Sequence, residues 1–260
     1  MEAAPYDDRG LTLGDGLFET VLADRGRLVA FDEHVARLVR GCGGLGLPAP
    51  DRAVLRAASD SALAAAGLER ERAAVRRTWT AGSGGRGLDR PAMPQPRLIV
   101  TAAPAPAPPG PVALALAGVR RNQASPSSRL KTLAYLDNVL ARREAIAAGA
   151  DEAVMLNTAG ELACAAAANL FWVSEGRLYT PALRCGVLDG IVRASVLRQA
   201  GLMGVTVVQA HEGPAALAGA DAAFITNSLI GVRAASRFGD RTYEANGLVG
   251  RLAEACADIR

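Results

Sequence analysis

LKTLAYLDNVLARREA, residues 130–145, contains Lys131, the only lysine in a chain of 260 residues that otherwise carries its positive charge on arginine. The difference is chemical. An arginine guanidinium stays protonated in proteins, whereas a lysine amine can be tuned by burial and neighbours until it loses its proton and attacks a carbonyl. A lone lysine is more often a solvated surface residue, so the weight falls on its setting. Leu136, Val139, Leu140 and Ala147 recur at helical spacing, which predicts a helix over 134–147 with these residues facing the core and Lys131 just ahead of it.

Outward from the lysine, residues 112–119 read as a strand, preceded by a Pro- and Ala-rich stretch, 104–111, whose composition favours an extended linker. The expected organisation is an N-terminal α+β domain over 1–103, the linker at 104–111, and a second domain over 112–260. In the first, 16–29 reads as two strands about a DRGR turn. Helices follow at 31–41 and 51–65, then strands at 75–80 and 97–102 around the GSGGRG loop. In the second, strands are expected at 152–156, 169–173, 177–180, 205–208 and 222–226. A helix over 191–200 is expected to end at Gly201.

Composition excludes several classes. Half the residues are apolar, enough for a globular core, and the net charge of +3 comes from dispersed arginines. That argues against nucleic acid and is compatible with a small anionic substrate. The longest uncharged run, 98–119, holds five prolines and is not expected to cross a membrane. The start, MEAAPYDDRG, has neither the basic residues nor the apolar stretch of a signal peptide, and four scattered cysteines without CxxC spacing suggest a reducing cytoplasm. His34 and His211 lie far apart, so no metal site is expected. No GxSxG is present, and no GxGxxG opens a βαβ unit.

The lysine segment resembles that of the class IV aminotransferase family, the fold-type IV pyridoxal-phosphate enzymes. GDGLFET (14–20) and FDEHVARL (31–38) resemble its N-terminal signature. AANLFWV (167–173), GVLDGIVR (186–193) and FITNSL (224–229) resemble its cofactor-holding segments, in the same order. The resemblance implies a two-domain α+β fold like that of D-amino-acid aminotransferase, pyridoxal 5'-phosphate held between the domains, and a homodimer. Some residues that usually form the family's first strand before GDG are missing, which marks the start as short or misassigned.

Carried over by position, Lys131 is implied to form the Schiff base and to move protons at the substrate carbon. Arg37 is implied to hold the cofactor phosphate, which a guanidinium fork matches bidentately; the bland alternative is a solvated helix arginine. Leu188, Gly190, Ile191 and Val192 span a helix start, where free N–H groups favour an anion. The family often has threonine where Val192 stands. Thr226 and Asn227 would complete the phosphate cup or form an ordinary polar turn. Tyr135, four residues beyond the lysine and so expected on the same helical face, would reach the cofactor's ring hydroxyl or simply pack. His34 is expected to be structural.

One departure is large. Where the family places a glutamate opposite the pyridine nitrogen, five residues before the asparagine of its AANLF-like segment, this chain has Cys164. Glu161 lies at an odd offset and should face the other side of a strand. A neutral thiol would leave the cofactor a weaker electron sink. The alternatives are a non-catalytic homologue, a variant for less demanding chemistry, or a neighbouring acid filling in. GSGGRG, NQASP (122–126) and ITNSL are most similar to the family's 4-amino-4-deoxychorismate lyases, which implies release of pyruvate and 4-aminobenzoate. A D-amino-acid or branched-chain aminotransferase is the alternative. Phe18, Arg86 and Arg121 are the candidate substrate-binding residues.

Overall fold

A computed structural model of the chain describes residues 5–257. They form two compact units, one running to Pro106 and including Leu130–Ala134, the other comprising Ala107–Arg129 and the chain from Tyr135 onward. Among the described residues, no helix is long and apolar enough to cross a membrane.

The first unit opens with a short helix, α1 (Arg9–Leu13), where the family's first strand was in question. It continues with β1 (Gly16–Asp24), β2 (Arg27–Leu28), α2 (Phe31–Leu45), α3 (Arg52–Ala66), β3 (Arg72–Thr80) and β4 (Arg97–Pro104). The four strands form an antiparallel sheet in the order β2-β1-β3-β4. Alternation along β1 sends Leu17, Val21 and Ala23 into a core shared with Val35 and Leu38 of α2 and Leu55 and Leu63 of α3. Asp51 caps α3 by accepting from the amides of Ala53 and Val54.

β2 pairs only with Ala23 and Asp24, leaving the start of β1 with an open edge. The lysine segment takes that edge. Leu17 bridges Thr132, the Phe18 amide donates to the Lys131 carbonyl at 2.9 Å, and the Leu133 amide donates to the Gly16 carbonyl at 3.0 Å. Unpaired strand edges recruit backbone partners, and this is why Leu130–Ala134, expected within 112–260, packs with the first unit.

The second unit contains β5 (Val112–Arg121), α4 (Leu136–Ala147), β6 (Glu152–Asn157), β7 (Leu162–Ala165), β8 (Asn169–Ser174) and β9 (Arg177–Pro181). It goes on with α5 (Ile191–Leu202), β10 (Val207–Ala210), α6 (Pro214–Ala218), β11 (Ala222–Asn227), β12 (Gly231–Phe238), β13 (Arg241–Thr242) and α7 (Gly247–Ala257). Its sheet runs β10-β9-β8-β11-β12-β5-β6-β7, with β13 beside β12. The Leu162 amide donates to the Glu212 carbonyl at 2.7 Å, so the β7 end of the sheet curls back to the β10 end. The curl encloses Leu114, Val154, Leu170, Trp172 and Ile225. Outside it, α5 and α7 cover Phe171, Val173 and Phe224.

Two helix expectations are corrected. α4 starts at Leu136, and Asn138, Ala141 and Ala145 face the core while Leu136, Val139 and Leu140 are 68%, 54% and 37% exposed. The alanines win because strand residues Ala115, Ala117 and Ala153 pack against them, and small residues on both sides allow close approach. α5 runs through Gly201 to Leu202; the left-handed residue after it is Gly204, at φ 71°.

Candidate functional site

The antiparallel pairing of residues 131–133 with β1 decides where Lys131 points. Thr132 lies opposite Leu17 and shares its face, so Lys131, opposite Phe18, projects to the other side of the sheet, away from α2 and α3. There its Nζ lies 4.1 Å from the centroid of the Phe18 ring, and the Arg76 guanidinium also stacks on that ring, at 3.8 Å. The amine is half-buried and held over an aromatic face. Phe18, expected to line the substrate pocket or to pack in the core, is buried and forms the platform for this lysine.

Glu19, the next residue, projects to the opposite face among the helices and is 1% exposed. Arg37 donates to it through Nε at 2.8 Å and a terminal nitrogen at 2.6 Å, and His34 Nδ1 lies 2.6 Å from Oε2. Burial alone would raise the Glu19 carboxyl. The Arg37 guanidinium, and then His34, outweigh it and hold the carboxyl at about 2. Burial pushes the His34 ring below its ordinary value against the pull of Glu19. His34 is thus a neutral structural partner, as the sequence suggests. Glu19 thus engages two of the N–H donors of the Arg37 guanidinium.

The remaining candidates belong to the second unit. α5 begins at Gly190, an N-cap without a side chain, so no side chain caps the first-turn amides of Ile191 and Val192. The Val192 side chain packs in the core with Val196 and Phe224, leaving its backbone as the only part available to a ligand. Asn169 donates to the Leu188 carbonyl at 2.9 Å, and a Cβ at residue 190 would lie 1.9 Å from its Oδ1, so the turn requires glycine. Thr226 lies directly across from Asn169 in the sheet, and its hydroxyl is buried with no hydrogen-bond partner. An orphaned hydroxyl beside an uncapped helix start fits a phosphate group. Asn227 spends its side chain on the turn: Nδ2 donates to the Ala167 carbonyl at 3.0 Å, and Oδ1 accepts from the amides of Leu229 and Ile230. Tyr135 is the N-cap of α4. Lys131 lies outside that helix, so the expected sharing of one helical face does not occur.

Cys164 sits in β7 opposite Met155, and a register shift follows at Leu162. Burial raises its thiol; Arg121 opposes this and Glu152 adds to it. The thiol therefore stays protonated and neutral. Glu161 does not replace the missing carboxylate. Its oxygens accept from Asn157 Nδ2 at 2.7 Å and contact His211 Nδ1 at 3.0 Å.

The two candidate substrate arginines differ in setting. Arg121 is buried, with Nε donating to the Gly186 carbonyl and a terminal nitrogen to the Ser128 carbonyl, each at 2.6 Å. It ties the turn before Leu188 to the segment ahead of the lysine. Arg86 is exposed in the 82–87 loop. That loop is held by Arg9, whose guanidinium reaches the carbonyls of Leu88 at 2.9 Å and Asp89 at 3.0 Å while Nε pairs with Asp15. The roles of Arg9 and Glu19 are absent from the sequence reading. For Glu19 a signal existed, an acid at an inward position of an otherwise apolar alternation.

The chain matches the family model described as amino-transferase class IV over residues 16–238. It is 29% identical to the aminodeoxychorismate lyase of Vibrio harveyi over 236 residues, covering 88% of this chain and 84% of that protein. The crystal structure of 4-amino-4-deoxychorismate lyase from Pseudomonas aeruginosa superposes with a TM-score of 0.87 at 32% identity, covering 98% of this chain and 94% of that one. A branched-chain aminotransferase from Thermoproteus uzoniensis superposes with a TM-score of 0.89 at 26% identity, covering 97% and 87%.

Proposed function

The chain belongs to the amino-transferase class IV family of pyridoxal-phosphate-dependent enzymes, and from that premise we propose that it is a lyase that releases pyruvate and 4-aminobenzoate from 4-amino-4-deoxychorismate. The observation that carries the choice is the buried, neutral thiol of Cys164. Without a carboxylate at this position, chemistry that depends on a fully protonated cofactor ring is disfavoured. An elimination that creates an aromatic ring carries its own driving force and tolerates a neutral neighbour.

Bound pyridoxal phosphate supplies an aldehyde that captures the substrate's amine and a ring that withdraws electrons from the adjoining carbon. Lys131 would hold the group and, once its amine is free, would take the proton from the ring carbon that bears the substrate amine. The enolpyruvyl ether leaves as the ring aromatises, and the returned proton yields pyruvate. Phe18 keeps Nζ above its ring face. The amides of Ile191 and Val192 and the Thr226 hydroxyl would hold the phosphate, and Arg37 is the guanidinium that the family resemblance assigns to it. Gly190 and Leu188 would shape the approach, Tyr135 would serve the ring hydroxyl, and Cys164 would stand where the family keeps the partner of the pyridine nitrogen. Arg86 is offered to a substrate carboxylate.

The working form is a homodimer. Leu136, Val139, Leu140 and Ile146 leave an apolar stripe exposed on α4, and a stripe of this kind on a well-packed domain marks an interface. All four cysteines are buried and unpaired, in keeping with a cytoplasmic setting.

The test supplies 4-amino-4-deoxychorismate enzymatically and follows pyruvate with a coupled assay, beside an absorbance spectrum taken with and without borohydride. Wild type is expected to release pyruvate and show a band near the visible edge; Lys131→Ala loses both. Robust transfer of an amino group to 2-oxo acids, without pyruvate release, would establish an aminotransferase instead.

A further inference from the structure

Outside the residues assigned to the cofactor, the second unit gathers three side chains that its proposed chemistry does not use. Glu161 stands at the entry to β7, Cys185 on the 3-10 turn after β9 (Leu183–Cys185), and His211 just past β10. His211 Nδ1 is 3.4 Å from Cys185 Sγ and 3.0 Å from Glu161 Oε1, and the ligand atoms all lie within 4.8 Å of one another. We propose that Cys185, His211 and Glu161 form a site for a borderline-soft divalent cation, zinc being the best match.

The spacing supports this. Tetrahedral zinc, with bonds of about 2.3 Å to sulfur and about 2.0 Å to nitrogen and oxygen, separates S from N by about 3.5 Å and N from O by about 3.3 Å. The observed 3.4 and 3.0 Å are within a few tenths of an ångström of these edges. One thiolate, one neutral imidazole and one carboxylate also balance the charge of a divalent ion, and an S/N/O set suits zinc better than magnesium or calcium.

The backbone already holds the three ligands in register. The Ala182 amide donates to the Ala210 carbonyl at 3.0 Å, the Cys185 amide to the Ala182 carbonyl at 2.9 Å, and the Leu162 amide to the Glu212 carbonyl at 2.7 Å. Access is open on one side. His211 and Glu161 keep 27% and 28% of their side chains exposed, while Cys185 is the buried floor. A fourth position toward solvent is left for water.

Arg184 Nε contacts His211 Nε2, which places the ring proton on Nδ1, facing Glu161. Binding through Nδ1 moves that proton to Nε2, and the exposed Arg184 side chain swings away. The Cys185 thiol, pushed up to about 11 chiefly by burial, gives up its proton to solvent as the Zn–S bond forms. One proton leaves per ion, and no oxidant or reductant is needed.

The test titrates Zn2+ into chelator-treated holoprotein by calorimetry in two buffers of different ionisation enthalpy. Expected are one ion per chain and about one proton released. Affinity should fall at least about tenfold in His211→Gln and in Glu161→Gln, the lower end of the loss seen when even a supporting partner is removed. Both changes are at partly exposed positions, so they test the site even if Cys185→Ser fails to fold. Cobalt should give a thiolate charge-transfer band in the difference spectrum of wild type minus Cys185→Ser. Unchanged zinc affinity in both exposed variants, or no stoichiometric binding by wild type, overturns the proposal. Neither outcome bears on the lysine chemistry, which Lys131→Ala tests separately.

Discussion

Replacing Glu19 with glutamine removes one charge and almost no volume from the centre of the first unit. The carboxyl lies at about 2 in the folded protein against an ordinary 4.5, a difference worth about 3 kcal/mol. Because the folded value is depressed, the contribution is complete above the unfolded value. It drains away as pH falls from about 4.5 toward about 2, because the unfolded chain takes up the proton first. Glutamine mimics the protonated acid at every pH. Wild type should therefore exceed Glu19→Gln by about 3 kcal/mol at pH 7 and by about 1 kcal/mol at pH 3. The first figure agrees with the cost of breaking a buried pair, about 3–5 kcal/mol. The assay is urea unfolding followed by fluorescence. The chain has two tryptophans, and Trp172 is in the second unit, so a Trp172→Phe background leaves Trp79 to report on the first. A gap below about 1 kcal/mol at pH 7, or one that does not narrow by pH 3, would refute the assignment of Glu19 as a buried anion stabilised by Arg37 and His34.

Two further outcomes are expected. Thr226→Val deletes a hydroxyl that has no partner, so stability without cofactor should be unchanged or slightly higher. Pyridoxal phosphate should bind about 10- to 100-fold more weakly, the loss of one hydrogen bond to a charged group; equal affinity by fluorescence titration would remove Thr226 from the phosphate site. Val139→Glu puts a charge on the exposed apolar stripe of α4, and light scattering after gel filtration should show a shift toward monomer. An unchanged dimer mass would place the interface elsewhere.

How far the sequence could be read depended on whether the deciding force was local. Strands β1, β5, β6 and β11 and helices α2, α3 and α5 were legible because alternation, helical period and caps such as Asp51 act over a few residues. Strand β12 and helix α7 escaped that reading. The orientation of α4 was misread because its partners, the alanines of β5 and β6, are chosen by the sheet and select small residues over the leucines that a period count favours. The position of the lysine segment was likewise invisible: it follows from β2 being too short to cover the edge of β1, a fact about pairing and not about residues 130–134.

Cys164 and Glu161 carry the same lesson into the chemistry. Parity along a strand separates the two in sequence. The register shift beside Cys164 could have overturned that inference by adding one residue to the count on β7. It does not, because Asn157 and His211 engage Glu161 from the hairpin turn and from beyond β10. The hairpin turn brings Asn157, 4 residues away, whereas His211, 50 residues away, reaches Glu161 only through the curl of the sheet. The curl that joins β7 to the end of β10 seats Glu161 beside Cys185 and His211.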